Sequence, residues 1–463
     1  MNYRVMKKLF ASLGLAAVGT TGLCAVNAPD AGDVSKSWSL GASLRGFYDD
    51  NYNTTPQKQG SMGFEVNPTF SLNLPLQQTE IGIKYTYGLY YYQKRESAGQ
   101  NPTDQTHQFD LWLDHAFTPR WEATLKDTAT VSQDPALTAV GTAVAQRVNG
   151  NNIANTFTTS LHTDWTRLFS TALTYQNTFY DYENSGAGSV NGAQLPTLAF
   201  NPNPSPGYFY YIAGTGSPQS VNASYAGLLN RVEQNISLDL QWNVTPTTMA
   251  LIGYQFGLVN FTGNELIAFS QAFPYTGPAT SVYSDSRDNM SHYLYVGAKH
   301  EFLENLVGSV KAGAQYTTYY NDPSATSSLG PYADASLSYT YAAGSYMLLG
   351  LTQSRNATDT VQIDSNGRIT QDQETTVVYG SINHPLTPKL MGSVVGHYQY
   401  STYHDGQYNS LSAQFYNVGL NLTYSFTRHF SSDLGYNFDW YTTAVPGQDY
   451  TRNRIYLGVS ATY

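Results

Sequence analysis

From residue 38 to residue 463 the chain is a succession of period-two runs whose connections alternate between long and short. In residues 62–74, MGFEVNPTFSLNL, Met62, Phe64, Val66, Phe70, Leu72 and Leu74 share one face, and Gly63, Glu65, Asn67, Thr69, Ser71 and Asn73 share the other. Side chains alternate across a strand, so the run is a ribbon with one apolar and one polar face. Similar runs occupy residues 38–48, 81–92, 107–117, 121–131, 156–165, 169–182, 232–244, 249–259, 290–302, 306–319, 333–341, 346–352, 375–386, 390–403, 416–426, 430–441 and 452–463. Connections after even-numbered runs are tight, and those after odd-numbered runs are longer. A soluble sandwich or propeller has no reason to sort its loops by parity. A closed up-and-down barrel does, with tight turns on one side of a membrane and loops on the other. The expected fold is therefore all-β: a transmembrane antiparallel barrel of about 18 strands (16 as the alternative), with short periplasmic turns and long outer loops. Pro68 removes one ladder hydrogen bond, and a bulge is expected there.

A recurring turn supports the sidedness. Thr118-Pro119, Thr245-Pro246, Thr387-Pro388 and Thr427-Arg428 all follow even-numbered runs and are flanked by apolar residues, among them Phe117, Trp121, Phe426 and Phe430. Proline presets the turn, and aromatic flanks suit a membrane interface. The terminal run, TRNRIYLGVSATY, places Ile455, Leu457, Val459, Ala461 and Tyr463 on one face. Its closing aromatic resembles the insertion signal read by the machinery that assembles outer-membrane barrels, with Tyr463 as the signal residue. The strand is expected to close against residues 38–48, with Arg452 and Arg454 inside near the outer rim and Tyr463 at the periplasmic edge.

Charged residues are only 12% of the chain, about half the usual share, which suits strands with one lipid face and one wet face. Residues 1–8 are basic, residues 9–23 apolar and small, and Leu23-Cys24-Ala25 offers a cleavage site, the layout of a secretory signal. The expected organisation is a signal peptide at 1–25, a short periplasmic segment at 26–37 and a barrel at 38–463. Losing Arg4, Lys7 and Lys8 takes the formal charge from −10 to about −13, which argues against nucleic acid as a partner. Cys24 is the chain's one cysteine, so the fold would depend on neither disulfides nor cysteine–metal sites.

Alternation assigns charges to the lumen: Glu65, Lys84, Asp110, Asp114, Arg231, Glu233, Asp239, Lys299, Asp334, Asp433, Asp439, Arg452 and Arg454, together with Glu122, Lys126, Glu301 and Lys311. Tyr90, Tyr92, Tyr293, Tyr295 and Tyr379 fall on the same side. Both signs are present with a mild acidic excess. These residues either pair with one another to hold the wall together or set up a cross-pore field with weak cation preference. Residues 136–148 of the third outer loop are apolar and either constrict the pore or pack at its rim. Phe209, Tyr210 and Tyr211 lie in the fourth. Asn366-Gly367 marks a tight hairpin, expected to extend two strands beyond the membrane. No histidine, serine and carboxylate fall into a spacing that supports nucleophilic catalysis, so no enzyme, cofactor or metal is expected.

Two stretches resemble a known family. LGASLRGFYDDNYN (residues 40–53) is similar to the opening strand of the putative beta-barrel porin 2 family, and FDLWLDHAFTPRW (residues 109–121) to a later strand–turn element. The resemblance implies an outer-membrane barrel without catalytic residues, and it suggests polysaccharide export. The residues themselves point to an outer-membrane channel for passive diffusion of small polar solutes, with outer-membrane lipid and the barrel-assembly machinery as partners. The alternatives are a polysaccharide export barrel and a structural or adhesive barrel with a plugged lumen.

Overall fold

The computed structural model describes residues 37–132, 152–182, 225–271, 279–364 and 366–463. The expected signal peptide, the apolar stretch at 136–148 and the aromatic cluster at 209–211 lie outside them. The chain forms β1 (Trp38–Asp49), β2 (Ser61–Pro75), β3 (Thr79–Tyr92), β4 (Thr103–Thr118), β5 (Trp121–Ser132), β6 (Asn152–Asp164), β7 (Phe169–Tyr182), β8 (Arg231–Thr245) and β9 (Thr248–Phe261). A short hairpin follows, β10 (Leu266–Gln271) and β11 (Ala279–Tyr283). Then come β12 (Asn289–Leu303), β13 (Leu306–Tyr319), β14 (Ser328–Ala342), β15 (Ser345–Asn356), β16 (Asp372–Thr387), β17 (Leu390–His404), β18 (Ser412–Ser425), β19 (Phe430–Thr443) and β20 (Tyr450–Thr462). Two short helices, α1 (Gln93–Ser97) and α2 (Tyr225–Leu229), and a 3-10 turn, Ser284–Arg287, sit in the long connections.

Apart from the β10–β11 hairpin, the strands make one 18-stranded sheet. Each pairs antiparallel with its sequence neighbours, β9 pairs with β12, and β20 pairs with β1. The sheet thus closes into a barrel with no free edge, the arrangement that satisfies every backbone group in lipid. Closure runs from Gly41↔Thr462 to Asp49↔Arg454. The last residue extends it, since the Tyr463 N–H donates to the Leu40 carbonyl at 2.8 Å and the Leu40 N–H returns the bond at 3.0 Å.

The apolar residues of each strand stay exposed on the outside of this cylinder: Leu44 is 51% exposed, Met62 63%, Leu294 62% and Leu457 63%. In water such a surface would be an aggregation liability; against hydrocarbon it costs nothing. The tight turns all lie at the end of the barrel that holds Trp38 and Tyr463, whose rings are 5.8 Å apart.

Threonine explains the tight turns better than proline does. Thr118 Oγ1 accepts the N–H groups of Arg120 and Trp121, both at 3.2 Å. Thr387 does the same for Lys389 and Leu390 (3.3 and 3.0 Å), and Thr245 and Thr427 accept from Thr247 and His429. A fifth copy, Thr166, accepts from Leu168 and Phe169 at 3.2 and 2.9 Å. The hydroxyl satisfies turn N–H groups that have no ladder partner.

Two local expectations are corrected. The β1–β2 register runs unbroken through Ala42↔Pro68, and β2–β3 resumes at Thr69↔Thr86 in the register it held at Val66↔Leu89. Pro68 therefore interrupts the ladder to β3 without a bulge. The loop around Gly367 does not extend β15 and β16 outward. Its hairpin is a single bridge, Ile363↔Ile369, and both isoleucines are 1% exposed against Leu228, Leu229 and Ile267. Two isoleucines held out in water would forgo about 1.5–3 kcal/mol each, so the loop folds back over the barrel end.

Candidate functional site

The polar face of the wall carries the chemistry, and its charges fall into four groups. The first straddles the closure. Asp433 on β19, Gly458 on β20 and Arg45 on β1 lie in one register row that continues to Glu65 on β2. Arg45 Nε donates to Asp433 Oδ2 at 2.7 Å and Nη1 to Glu65 Oε1 at 3.3 Å. Arg45 crosses β20 to do this, and only glycine at 458 leaves room: a Cβ there would meet the Arg45 side chain and Asp433. Arg454 Nη2 donates to Glu65 Oε2 at 2.9 Å, and its guanidinium lies 4.1 Å from the Phe47 ring centroid. Arg452 binds Asp49 at 2.7 Å and stands 4.0 Å from Asp439, which also accepts from Asn417 Nδ2. Glu65, Asp433, Asp439, Arg452 and Arg454 are thus brought together across the first and last strands. Tyr90 and Tyr92 lie beside them: Tyr92 packs on Phe47 at 5.3 Å, and Tyr90 faces Arg454 at 5.5 Å.

A second group lies on β8, β12, β13 and β14. Tyr295 crosses β9 over Gly253, as Arg45 crosses Gly458, and its hydroxyl donates to Asp239 at 2.6 Å. Lys311 Nζ donates to the other Asp239 oxygen at 2.9 Å and lies 5.0 Å from the Tyr295 ring. Tyr332 stacks its edge near Tyr293 and Tyr295 at 5.2 and 5.3 Å. Asp334 stands opposite Lys311 in register, and Lys299 opposite Ser309. Tyr379, on β16, lies over Gly350.

The third group, on β3 to β5, is more open. Lys84 stands opposite Asp110 in register, and Asp110 accepts from Gln108 and Thr128 at 3.0 Å. Lys84 is exposed, and Asp110, Asp114, Glu122 and Lys126 are half-buried.

The fourth group is at the barrel end with the long connections. Arg231 Nε binds Glu233 at 2.6 Å, and its Nη1 donates to the Leu229 carbonyl. Arg287, a loop residue without alternation to betray it, is fully buried. Its guanidinium donates to the carbonyls of Leu228 (3.1 Å), Gln371 (3.4 Å) and Thr358, and lies 4.4 Å from the Phe261 ring centroid. Burial and the nearby Arg231 push its pKa down to about 9, so it stays charged at neutral pH. One side chain thereby ties together the connections between β7 and β8, β9 and β12, and β15 and β16.

Arg45 and Asp49 are missing from the charges assigned to the lumen by sequence, although both fall on the polar face of β1, opposite Leu40, Ala42 and Leu44. Arg45 and Asp49 complete the pairing of residues that alternation did single out.

Among solved structures the chain is similar to the outer membrane protein OpdK from Pseudomonas aeruginosa, at 9% identity and TM-score 0.43, over 92% of this chain and 99% of that one. It is also similar to OccK2 (OpdF) from the same organism, solved with glucuronate, at 7% identity and TM-score 0.42 over 92% and 98%. Acinetobacter baumannii OccAB4 matches at 11% identity and TM-score 0.39 over 92% and 99%. No curated protein matches the chain. Residues 277–463, which carry the barrel from β12 through the closing strand, match the model of the family described as putative beta-barrel porin 2, the family that the opening strand and the Thr118 turn resemble.

Proposed function

We propose that this protein is an outer-membrane channel through which small polar solutes diffuse passively. The observation that carries this reading is the charged polar face of β3 to β5, where Lys84 is exposed and Asp110, Asp114, Glu122 and Lys126 are half-buried, opposite the apolar face of the same strands. Eighteen strands enclose a lumen wide enough for water and solutes unless loops fill it. The family description, a porin, agrees. In this reading the closure network holds the wall together, and the open charges meet the solute. Nothing in the mechanism needs energy coupling or a cofactor: a solute exchanges hydration for the mixed-charge wall and leaves on the far side. Tyr463 serves as the assembly signal, and the short turns face the periplasm.

Single-channel recording in a planar bilayer tests this. Stepwise conductance with weak cation preference is expected. A second reading, a lumen closed from outside, has the Arg287-tied connections in its favour; folded protein that conducts no current would select it and sink the open channel.

A further inference from the structure

We propose that the outward face of β5 to β8 is the contact between two copies of this chain. The proposal rests on the barrel lying in a membrane, not on what passes through it.

The lipid-facing side of the wall is apolar or aromatic over most strands, with two polar stretches: Gln353, Arg355, Glu374 and Thr376 on β15 and β16, which bond one another near the end with the long connections, and a deeper one on β5 to β8. On β5 the outward row runs Trp121, Ala123, Leu125, Asp127, Ala129, Val131. Asp127 stands opposite Leu111 on β4 and Phe157 on β6, both outward. The same register row continues to Asn177 on β7 and Gln234 on β8, and Asn155 on β6 lies one step above. Asp127 is six positions above Trp121 at the turn. At roughly 3.3 Å per residue and a tilt of about 40°, that is about 15 Å into an apolar band about 25 Å tall. At the same number of steps from their turns, β4 presents Leu111, β9 presents Tyr254 and β12 presents Val296.

Hydrocarbon offers a carboxylate no donor. Asn155 Nδ2 gives Asp127 one hydrogen bond, at 2.8 Å, and donates more weakly to the Thr128 carbonyl at 3.4 Å. A carboxylate accepts about four. Among the described residues the amides of Asn177 and Gln234 make no side-chain hydrogen bond. The patch is thus complementary to itself, with an acceptor-only group on β5 and unused donors on β7 and β8. A two-fold axis along the membrane normal, near β6 and β7, sets Asp127 of one copy before the amides of the other, and an isologous contact of this kind closes as a dimer. Lipopolysaccharide is the competing occupant, but it brings sugars and phosphates at the outer rim, whereas Asp127 lies below Ala129 and Val131.

The test is cross-linking of the full chain in isolated outer membranes. Cys24 is the chain's one cysteine, so the unsubstituted parent is the background. Asn177→Cys is expected to give a cross-linked dimer with a short bis-maleimide, and Leu420→Cys, outward on β18, is expected to give none above the parent. Adding Asp127→Leu to Asn177→Cys is expected to lower the dimer at least tenfold, with the heat-modifiable folded band unchanged. Equal cross-linking at 177 and 420, or dimer unaffected by Asp127→Leu, overturns the proposal. So does a monomer carrying lipopolysaccharide in native mass spectrometry. Absence of the heat-modifiable band from the parent would instead count against the barrel in the membrane.

Discussion

Arg454 on the last strand and Glu65 on the second are joined at 2.9 Å across the intervening first strand. Glu65 also holds Arg45, which in turn holds Asp433. Four strands, from the first two of the barrel and its last two, are therefore bound by one run of charges. Their side chains are at most 11% exposed. A buried charge that loses its partner is costly, more so than the pair is worth. Glu65→Gln keeps the volume and removes the charge. It should destabilise the folded barrel by about 2–4 kcal/mol, read as a lower unfolding midpoint in urea. Adding Arg454→Met should recover part of the loss, because the orphaned cation goes with it. Full additivity of the two changes would show that the ion pair does not couple the strands.

The Arg287 guanidinium serves three carbonyls from two connections in a geometry that a planar fork can satisfy. Arg287→Gln should release these connections from each other while leaving the barrel strands folded. Limited proteolysis of intact cells should then cut within residues 357–371 at least several times faster than in the parent. Arg287→Lys should restore protection only in part, since an ammonium is a point donor. Unchanged cleavage in both variants would count against the clasp.

Asp50 gives a pH dependence outside the membrane-spanning strands. Burial raises its pKa, but Lys58 at 2.8 Å and the backbone and side-chain N–H groups of Asn453 outweigh burial and bring it below the ordinary carboxylate value. A carboxyl with a depressed folded-state pKa binds fewer protons folded than unfolded. Its contribution is therefore present above the ordinary value near 3.8 and is lost as pH falls through the lower folded value. The connection between β1 and β2 should loosen below about pH 4, seen as faster amide exchange at residues 51–60. Asp50→Asn should remove that pH step; a step that persists would assign it to another carboxyl.

The barrel strands were legible because a membrane imposes one rule on every strand: apolar side chains outward, spaced by two. All the runs read from residue 38 onward correspond to barrel strands. Turn chemistry was legible where proline marked it. Thr427-Arg428 shows that the proline is dispensable, and Thr166-Arg167, between Trp165 and Phe169, is a further Thr-Arg copy whose hydroxyl caps the turn as Thr118 does. What alternation cannot show is how far a side chain travels sideways. Arg45 finds Asp433 because Gly458 is between them, and Tyr295 finds Asp239 over Gly253, contacts between residues far apart in the chain. The same limit hid the folded-back hairpin of Ile363 and Ile369 and the role of Arg287, whose partners are backbone atoms of other connections. Pro68 misled for the opposite reason: a missing hydrogen bond leaves the register intact when the flanking pairs hold it.

Tyr463 and the two arginines of β20 allow assembly and wall integrity to be separated on a single strand. Tyr463 adds one pair of backbone bonds to Leu40 and sets its ring 5.8 Å from Trp38 and 6.3 Å from His429. It is 63% exposed, so its loss should cost the finished barrel only about 1 kcal/mol. As an assembly signal it should matter far more. Deleting Tyr463 should therefore cut the amount of folded barrel in the outer membrane several-fold, while the channels that do insert keep the parent's conductance and nearly its unfolding midpoint. Arg452→Gln with Arg454→Gln should do the reverse. Insertion should be close to normal, but Asp49 and Asp439 lose Arg452 and Glu65 keeps only Arg45, the midpoint should fall, and cation preference should rise with the wall's net negative charge. If the deletion lowered the midpoint as much as the arginine changes do, Tyr463 would be a structural residue of the closure, and the assembly signal would have to lie elsewhere on the strand.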